Sequence, residues 1–406
     1  MSFLERPNAI RPASGEAPFH LSEVFYSRTD DRGLIQFGND IFYRVAHFDP
    51  SEMKGAPHNI IRHPDMPRGV FWLFWDAIKR GRSMGAYVKN KAKDGLYYWV
   101  YAIVIPSGDG YLSVRIKPTS PVFETIKKEY ANLLCAQQSE GLSPEDSAKK
   151  LLKKLNELGF DSYHSFAAHA LTEELTARNT GLGKATNFSL QDYRSRHESA
   201  KELAKETDAL VQEFEAMRTI PHNLRVIASR IEPAGGPVTV LSQNYGTMSR
   251  DMSDWFATHV LGENSNFAAI KGIVNHSMFI ECMVRILDEC NDMLQKEHGS
   301  IGGKELGKER ELLSDLVQEQ RNQARQGQKN VSKEAERILK ACSVMHRHFL
   351  GLSSTRVLCK IESARLTNEG EALTAIIDQL GVFQGRISAQ LDRIAALGVE
   401  IQATEG

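Results

Sequence analysis

Residues 57 to 67, Pro-His-Asn-Ile-Ile-Arg-His-Pro-Asp-Met-Pro, crowd histidine, arginine, aspartate and asparagine side chains into one short stretch bounded by strongly aromatic, apolar sequence. Pro64 and Pro67 fix φ, remove amide donors and push the preceding residues toward extended geometry, which holds Arg62, His63 and Asp65 in a set orientation. A rigid polar edge of this kind can present a ligand. His58 and His63 also permit haem ligation, although a histidine that caps or hydrogen-bonds is the plainer reading of His58. Arg62 and Asp65, three positions apart, can equally form a surface ion pair of small energetic consequence.

The sequence around this segment supplies the elements that must position it. Leu34 to Phe37 reads as a short strand and Asn39 to Val45 as a helical turn, while Phe71 to Lys79 carries bulky residues at helical spacing. Gly95 sits where a tight hairpin needs positive φ. Tyr97 to Ile105 and Tyr111 to Ile116 are aromatic and β-branched runs separated by Pro106-Ser107-Gly108-Asp109-Gly110, a hairpin signature. The expectation is an α+β unit, a small antiparallel sheet crossed by short helices.

Four blocks in a fixed order resemble the PAS sensor domain of bacterial aerotaxis receptors, from about Thr29 to Lys117. They are Thr29-Asp30 with Gly33 to Asp40; the histidine-proline segment; Phe71 to Trp75 with Lys79 and Gly81; and Val88-Lys89-Asn90 with Lys93 to Val100. The resemblance implies an FAD-binding pocket with Asn39, Arg62, His63, Asp65, Trp75 and Asn90 as cofactor-binding candidates; haem or no cofactor are the alternatives. Trp75 and Trp99 could line a ring pocket, and core packing is the plainer role for both. Where the aerotaxis pattern has a tryptophan and, two residues later, a glycine, this chain has Met84 and Ala86, so that Met84 could fill the space of a ring.

At 406 residues the chain exceeds one compact core. Fifty basic against fifty-one acidic residues, without a basic stripe interleaved with aromatics, argue against a nucleic-acid partner. Cys135, Cys282, Cys290, Cys342 and Cys359 show no Cys-x-x-Cys spacing and mostly fall at apolar helical positions, as core thiols do. His164 and His169, five apart, do not share the helical face that metal binding favours. No N-terminal apolar run and no stretch of eighteen apolar residues suggest export or a membrane span, so the expected location is the cytoplasm.

Ser143-Pro144-Glu145-Asp146 marks a helix start that Gly159 ends, and a second helix runs from near Asp161 to Asn179. From residue 188 the pattern becomes long amphipathic helices. Leu203, Leu210, Met217, Leu224 and Ile231 recur every seven residues with Ala200, Thr207, Phe214 and Ala228 beside them, a coiled-coil seam in which Pro221 should kink or end the helix. Asn223-Leu224 through Ile231-Glu232-Pro233-Ala234-Gly235-Gly236 resembles the hairpin tip of methyl-accepting chemotaxis signalling domains, with Pro237-Val238-Thr239 replacing the basic and glycine-rich residues that follow it there. Arg356 to Ala364, then Asn368-Glu369-Gly370, gives a second copy, preceded by Ile338, Met345, Leu352 and Cys359 in steps of seven. Two hairpins, with Gly299-Ser300-Ile301-Gly302-Gly303 as the turn between them, supply four helices of about 45 residues, on the order of 65 Å each.

Three segments are expected: a PAS sensor over 1–120, a helical connector over 121–185, and a bundle of two hairpins over 186–298 and 304–400. No phosphate-binding loop, cyclase motif or nucleophile with a base is present, so no catalytic residue, metal ligand or enzymatic activity is expected. The expected role is redox or small-molecule sensing coupled to a chemoreceptor-like bundle. Its expected partners are signalling proteins such as a chemotaxis kinase or coupling protein, and further copies of the chain. The alternative is a scaffold or localisation protein.

Overall fold

The computed structural model describes residues 11–184, 188–217, 220–231, 236–261, 265–297, 303–365 and 370–402. Five antiparallel strands, β1 (Phe25–Asp30), β2 (Ile35–Gly38), β3 (Met84–Lys91), β4 (Tyr97–Ser107) and β5 (Gly110–Ile116), form one sheet in the order β2-β1-β5-β4-β3. The β3–β4 hairpin pairs Met84 with Val104 through Lys91 with Tyr97, and Gly95 in its turn takes φ of 90°. Between β2 and β3 run α1 (Asp40–Ala46), α2 (Pro50–Met53), a 3-10 turn (His58–Ile61) and α3 (Arg68–Lys79).

The connection from α2 to α3 is tied to both edges of the sheet. At the β2 edge, Gly55 N donates to Ile35 O, Ile35 N to Ala56 O and His58 N to Gly33 O; at the β3 edge, Arg62 bridges Asn90 and His63 N donates to Lys89 O. Residues 55–63 therefore form a strap across one face of the sheet. The opposite face is covered by helices. Tyr101 Oη donates to Ala167 O of α6 (Tyr163–Gly181), and Tyr87 Oη donates to Glu174 on the same helix. Trp99 packs edge-on against Phe123 of α4 (Pro121–Ser139), away from the strap.

Side-chain caps set the helix starts. Ser143 caps α5 (Pro144–Glu157) with proline at its first position, and Gly159 follows at φ of 93°. α5 approaches α3 so closely that a Cβ on Gly69 would collide with the Ala148 backbone, so that crossing requires glycine. Asn39 caps α1: its Oδ1 accepts from Phe42 N and Tyr26 N, and its Nδ2 donates to Val24 O.

The helical remainder comprises α7 (Phe188–Met217), α8 (Ile220–Ile231), α9 (Pro237–Phe256) with a π turn at Ala257–Leu261, α10 (Asn266–Lys296), α11 (Gly303–Ser363) and α12 (Gly370–Gln402). The expected 45-residue legs are not equal in length, since α11 alone runs 61 residues. Whereas three consecutive segments are expected from the sequence, packing separates the chain into residues 1–191 with 275–326, and 192–274 with 327–406. In the second unit the seven-residue series Leu203, Leu210, Leu224 and Ile338, Met345, Leu352, Cys359 enters a single buried core with Leu373, Ile377 and Leu380. The Met217, Pro221 and Ile231 side chains, the tips at Glu232 to Gly235 and Asn368-Glu369, and Gly299 to Gly302 lie outside the described residues.

Cys282, Cys290, Cys342 and Cys359 are buried free thiols and Cys135 is exposed. His164 packs against His276 and Phe279, and His169 against Phe160. Among the described residues, one stretch within Pro237–Lys296 is long and apolar enough to cross a membrane, a test that the core helix of a bundle also passes, and 61% of it is buried in the packing.

Because the three side-chain hydrogen bonds of Asn39 tie the start of α1 to β1 and to Val24 just before it, Asn39→Ala is expected to destabilise the fold by about 2–3 kcal/mol. Chemical denaturation followed by tryptophan fluorescence checks this, with any ligand affinity of the folded protein expected to stay unchanged.

Candidate functional site

A cavity of about 230 Å³ lies between the strap face of the sheet, the strap and α3. Strand alternation chooses its floor, because side chains two apart share a face. Ser27 and Thr29 of β1, Val88 and Asn90 of β3, Ala102 and Val104 of β4, and Tyr111, Ser113 and Arg115 of β5 all face inward. The roof comes from Phe71, Phe74, Trp75 and Ile78, the i, i+3, i+4, i+7 face of α3, with His58, Asn59 and Arg62 from the strap.

The floor is polar at one end. Arg115 is 3% exposed; its Nη2 donates to Ser27 Oγ at 2.9 Å and stands 2.7 Å from His58 Nε2. Burial lowers the Arg115 guanidinium to about 10, which leaves it charged at neutral pH. Burial, reinforced by Arg115, lowers His58 to about 3, so His58 is neutral and its Nε2 accepts from the guanidinium. That engagement leaves no Nε2 lone pair for a haem iron. The His58 ring stacks on Phe42 at 6.0 Å. Three buried polar atoms of the cavity lining, Asn90 Nδ2, Ser113 Oγ and Arg115 Nη1, have no hydrogen-bond partner. Native proteins pair nearly all such groups, with protein, ordered water or a bound molecule. No aspartate or glutamate lines the cavity.

Of the six residues singled out from the sequence, the structure brings Arg62, Trp75 and Asn90 together at the cavity and leaves Asn39, His63 and Asp65 outside it. Arg62 lies over the Phe71 ring at 3.8 Å and does not pair with Asp65. Asp65 instead points to the surface and binds Lys89 at 2.6 Å, while His63 Nδ1 accepts from Asp65 N and its ring meets the edge of Tyr97. The reason is that the strap ends at the β3 edge, and the chain beyond Arg62 has already left the cavity. Asn39 is consumed by capping. Trp99 faces the helices, and neither Met84 nor Ala86 lines the cavity. Arg115 and Ser113 carry no motif. Their signal is a serine and an arginine at alternate positions of β5, where the neighbours Leu112, Val114 and Ile116 are apolar.

Arg62, Arg32, Phe71 and Trp75 also border an outer cleft with Arg68, Trp72 and Lys79, alongside Asp31 and Asp76. Among the described residues, no group of three or more His, Cys, Asp or Glu side chains is placed to hold a metal ion.

The depressed His58 value has a definite pH consequence. The unfolded chain takes up a proton near the ordinary histidine value of 6.5 while folded His58 resists until about 3. The associated stability is full above 6.5 and falls with decreasing pH, on the order of 1 kcal/mol per unit. His58→Phe, which keeps the stack on Phe42, should flatten that slope in denaturation midpoints measured across this range.

Residues 35–111 match the family described as the PAS fold. Over 119 residues the chain is 34% identical to the aerotaxis receptor of Escherichia coli (strain K12), which covers 28% of this chain and 24% of that protein. Over 170 residues it is 26% identical to the bacterioopsin transcriptional activator of Halobacterium salinarum, covering 41% of this chain and 24% of that protein. The crystal structure of a PAS domain from Colwellia psychrerythraea is similar over 24% of this chain and 86% of that one, at 19% identity and a TM-score of 0.21. The chain spans about a quarter of the length of the curated relatives it matches. A five-stranded antiparallel sheet under a helical strap, together with the family match from β2 to the start of β5, gives the N-terminal part of this chain the PAS fold, with sequence similarity to the aerotaxis receptor.

Proposed function

We propose that this chain is a cytoplasmic, non-enzymatic sensory transducer whose PAS cavity holds a flavin, and in which the state of the occupant biases the helices. The observation that carries this reading is the cavity wall, an aromatic and aliphatic roof over three partnerless polar atoms. A flavin ring is flat and apolar on its faces, with carbonyl oxygens and ring nitrogens along one edge. Asn90, Ser113 and Arg115 suit that edge, and Phe71, Phe74 and Trp75 suit the faces. Arg62 at the junction with the outer cleft, and Arg68 and Lys79 within it, suit the phosphates of an FAD tail. When bound, flavin supplies reversible electron uptake coupled to protonation of its ring. Asn90 can answer such a change by turning its amide, exchanging a donor for an acceptor.

Two strands connect the cavity to helices. In β1, Ser27 faces the cavity while its neighbours Tyr26 and Arg28 bind Glu309 of α11, Tyr26 Oη at 2.8 Å and Arg28 Nη2 at 2.7 Å. In β3, Val88 and Asn90 face the cavity while Tyr87 binds Glu174 of α6 at 2.8 Å. A shift of either strand therefore moves both ends, and an occupant with different affinity for two strand positions selects between them. The outputs that fit are signalling proteins, among them a chemotaxis kinase or coupling protein.

A scaffold or localisation role is the second reading. It is favoured by Leu350, Val357 and Ile361, which recur along one side of α11 and are more than half exposed, a surface that also suits self-association.

The absorption spectrum of freshly purified protein, before and after dithionite, tests the flavin reading: yellow protein that bleaches is expected, and colourless protein that carries a stable partner instead favours the scaffold. Glu309→Gln is expected to keep the spectrum while reducing the redox-dependent difference in amide exchange along α11.

A further inference from the structure

The cavity floor also specifies a charge, an inference that rests on reading the cavity as a ligand site. We propose that Arg115, with Ser27, Ser113 and His58 around it, is an anion seat, so that the occupant presents negatively charged oxygen or nitrogen atoms to the free edge of the guanidinium.

The argument is one of charge balance. Arg115 is buried, yet its two side-chain partners, Ser27 Oγ and His58 Nε2, are uncharged, and its Nη1 has none. The other groups facing it are neutral as well. The Phe42 ring lies 5.2 Å from its Cζ, and Tyr98, whose hydroxyl is buried without a partner, is kept protonated because burial raises its pKa. A buried charge is ordinarily met by an opposite one, and none is supplied from β1, β3, β4, the strap or α3. The two remaining arginines of the lining do not share this condition, since Arg32 pairs with Asp30 at the surface and Arg62 lies on Phe71 near the outer cleft.

His58 sharpens the assignment. As an acceptor it fixes one edge of the guanidinium and adds no second positive charge, so one cation with one free edge remains. With both Nη2 hydrogens so engaged, the two on Nη1 remain for acceptor atoms of an anion. Two sources share that chemistry. One is a flavin ring that has taken up two electrons and one proton and so carries one negative charge. The other is an organic carboxylate with an apolar body.

The experiment uses the full chain as wild type, Arg115→Gln and Arg115→Lys, each checked for fold by circular dichroism. If the protein carries flavin, the potential is measured by dithionite titration. The seat predicts that Arg115→Gln lowers the reduced-to-oxidised equilibrium at least tenfold, about 30 mV for a two-electron couple, and that Arg115→Lys retains most of it. Should Arg115→Gln not fold, the wild type alone decides. Its potential should move by about 30 mV per pH unit, one proton per two electrons, and twice that slope overturns the seat. If the protein is colourless, benzoate and the neutral isostere benzamide are titrated in turn. At least tenfold preference for benzoate, lost in Arg115→Gln, supports the seat while the flavin reading fails. An unchanged potential in a yellow, folded Arg115→Gln protein sinks the seat and leaves the flavin reading standing, and equal binding of the two probes by colourless protein ends both.

Discussion

Successive side chains of a strand must point to opposite sides of its sheet, and in this chain both sides are occupied by groups that matter. On one side the strands floor a cavity; on the other they hold helices through buried tyrosines and an arginine. Tyr26, Ser27 and Arg28 condense the arrangement into three consecutive residues, with helix contacts flanking a cavity contact. A slip of one position in β1 would exchange these faces, placing two large side chains in the cavity and a small hydroxyl against Glu309. The register with β5, Ser27 opposite Ser113, is what fixes the whole site.

The buried carboxylates on the helix side are satisfied in different ways. Glu309 meets a cation, Arg28, as well as the Tyr26 hydroxyl. Glu174 meets only neutral donors: Tyr87 Oη, Ser120 Oγ and the Thr119 and Ser120 amides at the start of α4. Burial raises its pKa, and those donors oppose the shift. Since the Ser120 hydroxyl and amide both belong to the α4 cap, Glu174 ties that helix start to β3 and α6 at a single point.

Much of the sheet was legible in the residue pattern, because strands and turns are local. The Pro106 to Gly110 turn, the glycine at position 95 and the aromatic runs place β4 and β5 within a residue or two of their observed ends. The Ser143-Pro144 start of α5 is equally local. The site was less legible because it depends on where a strap crosses a sheet. Residues 57–67 look uniform in sequence, but the crossing ends at Arg62, so His58 and Arg62 reach the cavity and His63 and Asp65 do not. Arg115 was invisible for another reason: a lone arginine in a strand reads as an exposed residue until the pairing shows it pointing inward. In the helical part the seven-residue spacing named the core of the second unit, while spacing alone could not tell that residues 275–326 pack with the first.

The double attachment of residues 55–63 bears on how copies of this chain can meet. A sheet ordinarily ends in strands whose outward amides invite a foreign strand to pair, and the two end strands here, β2 and β3, already spend part of that capacity on the same short segment. Strand exchange and cross-β growth would have to strip the roof from the cavity before they could begin. The segment that closes the cavity thereby doubles as a guard against edge-to-edge aggregation.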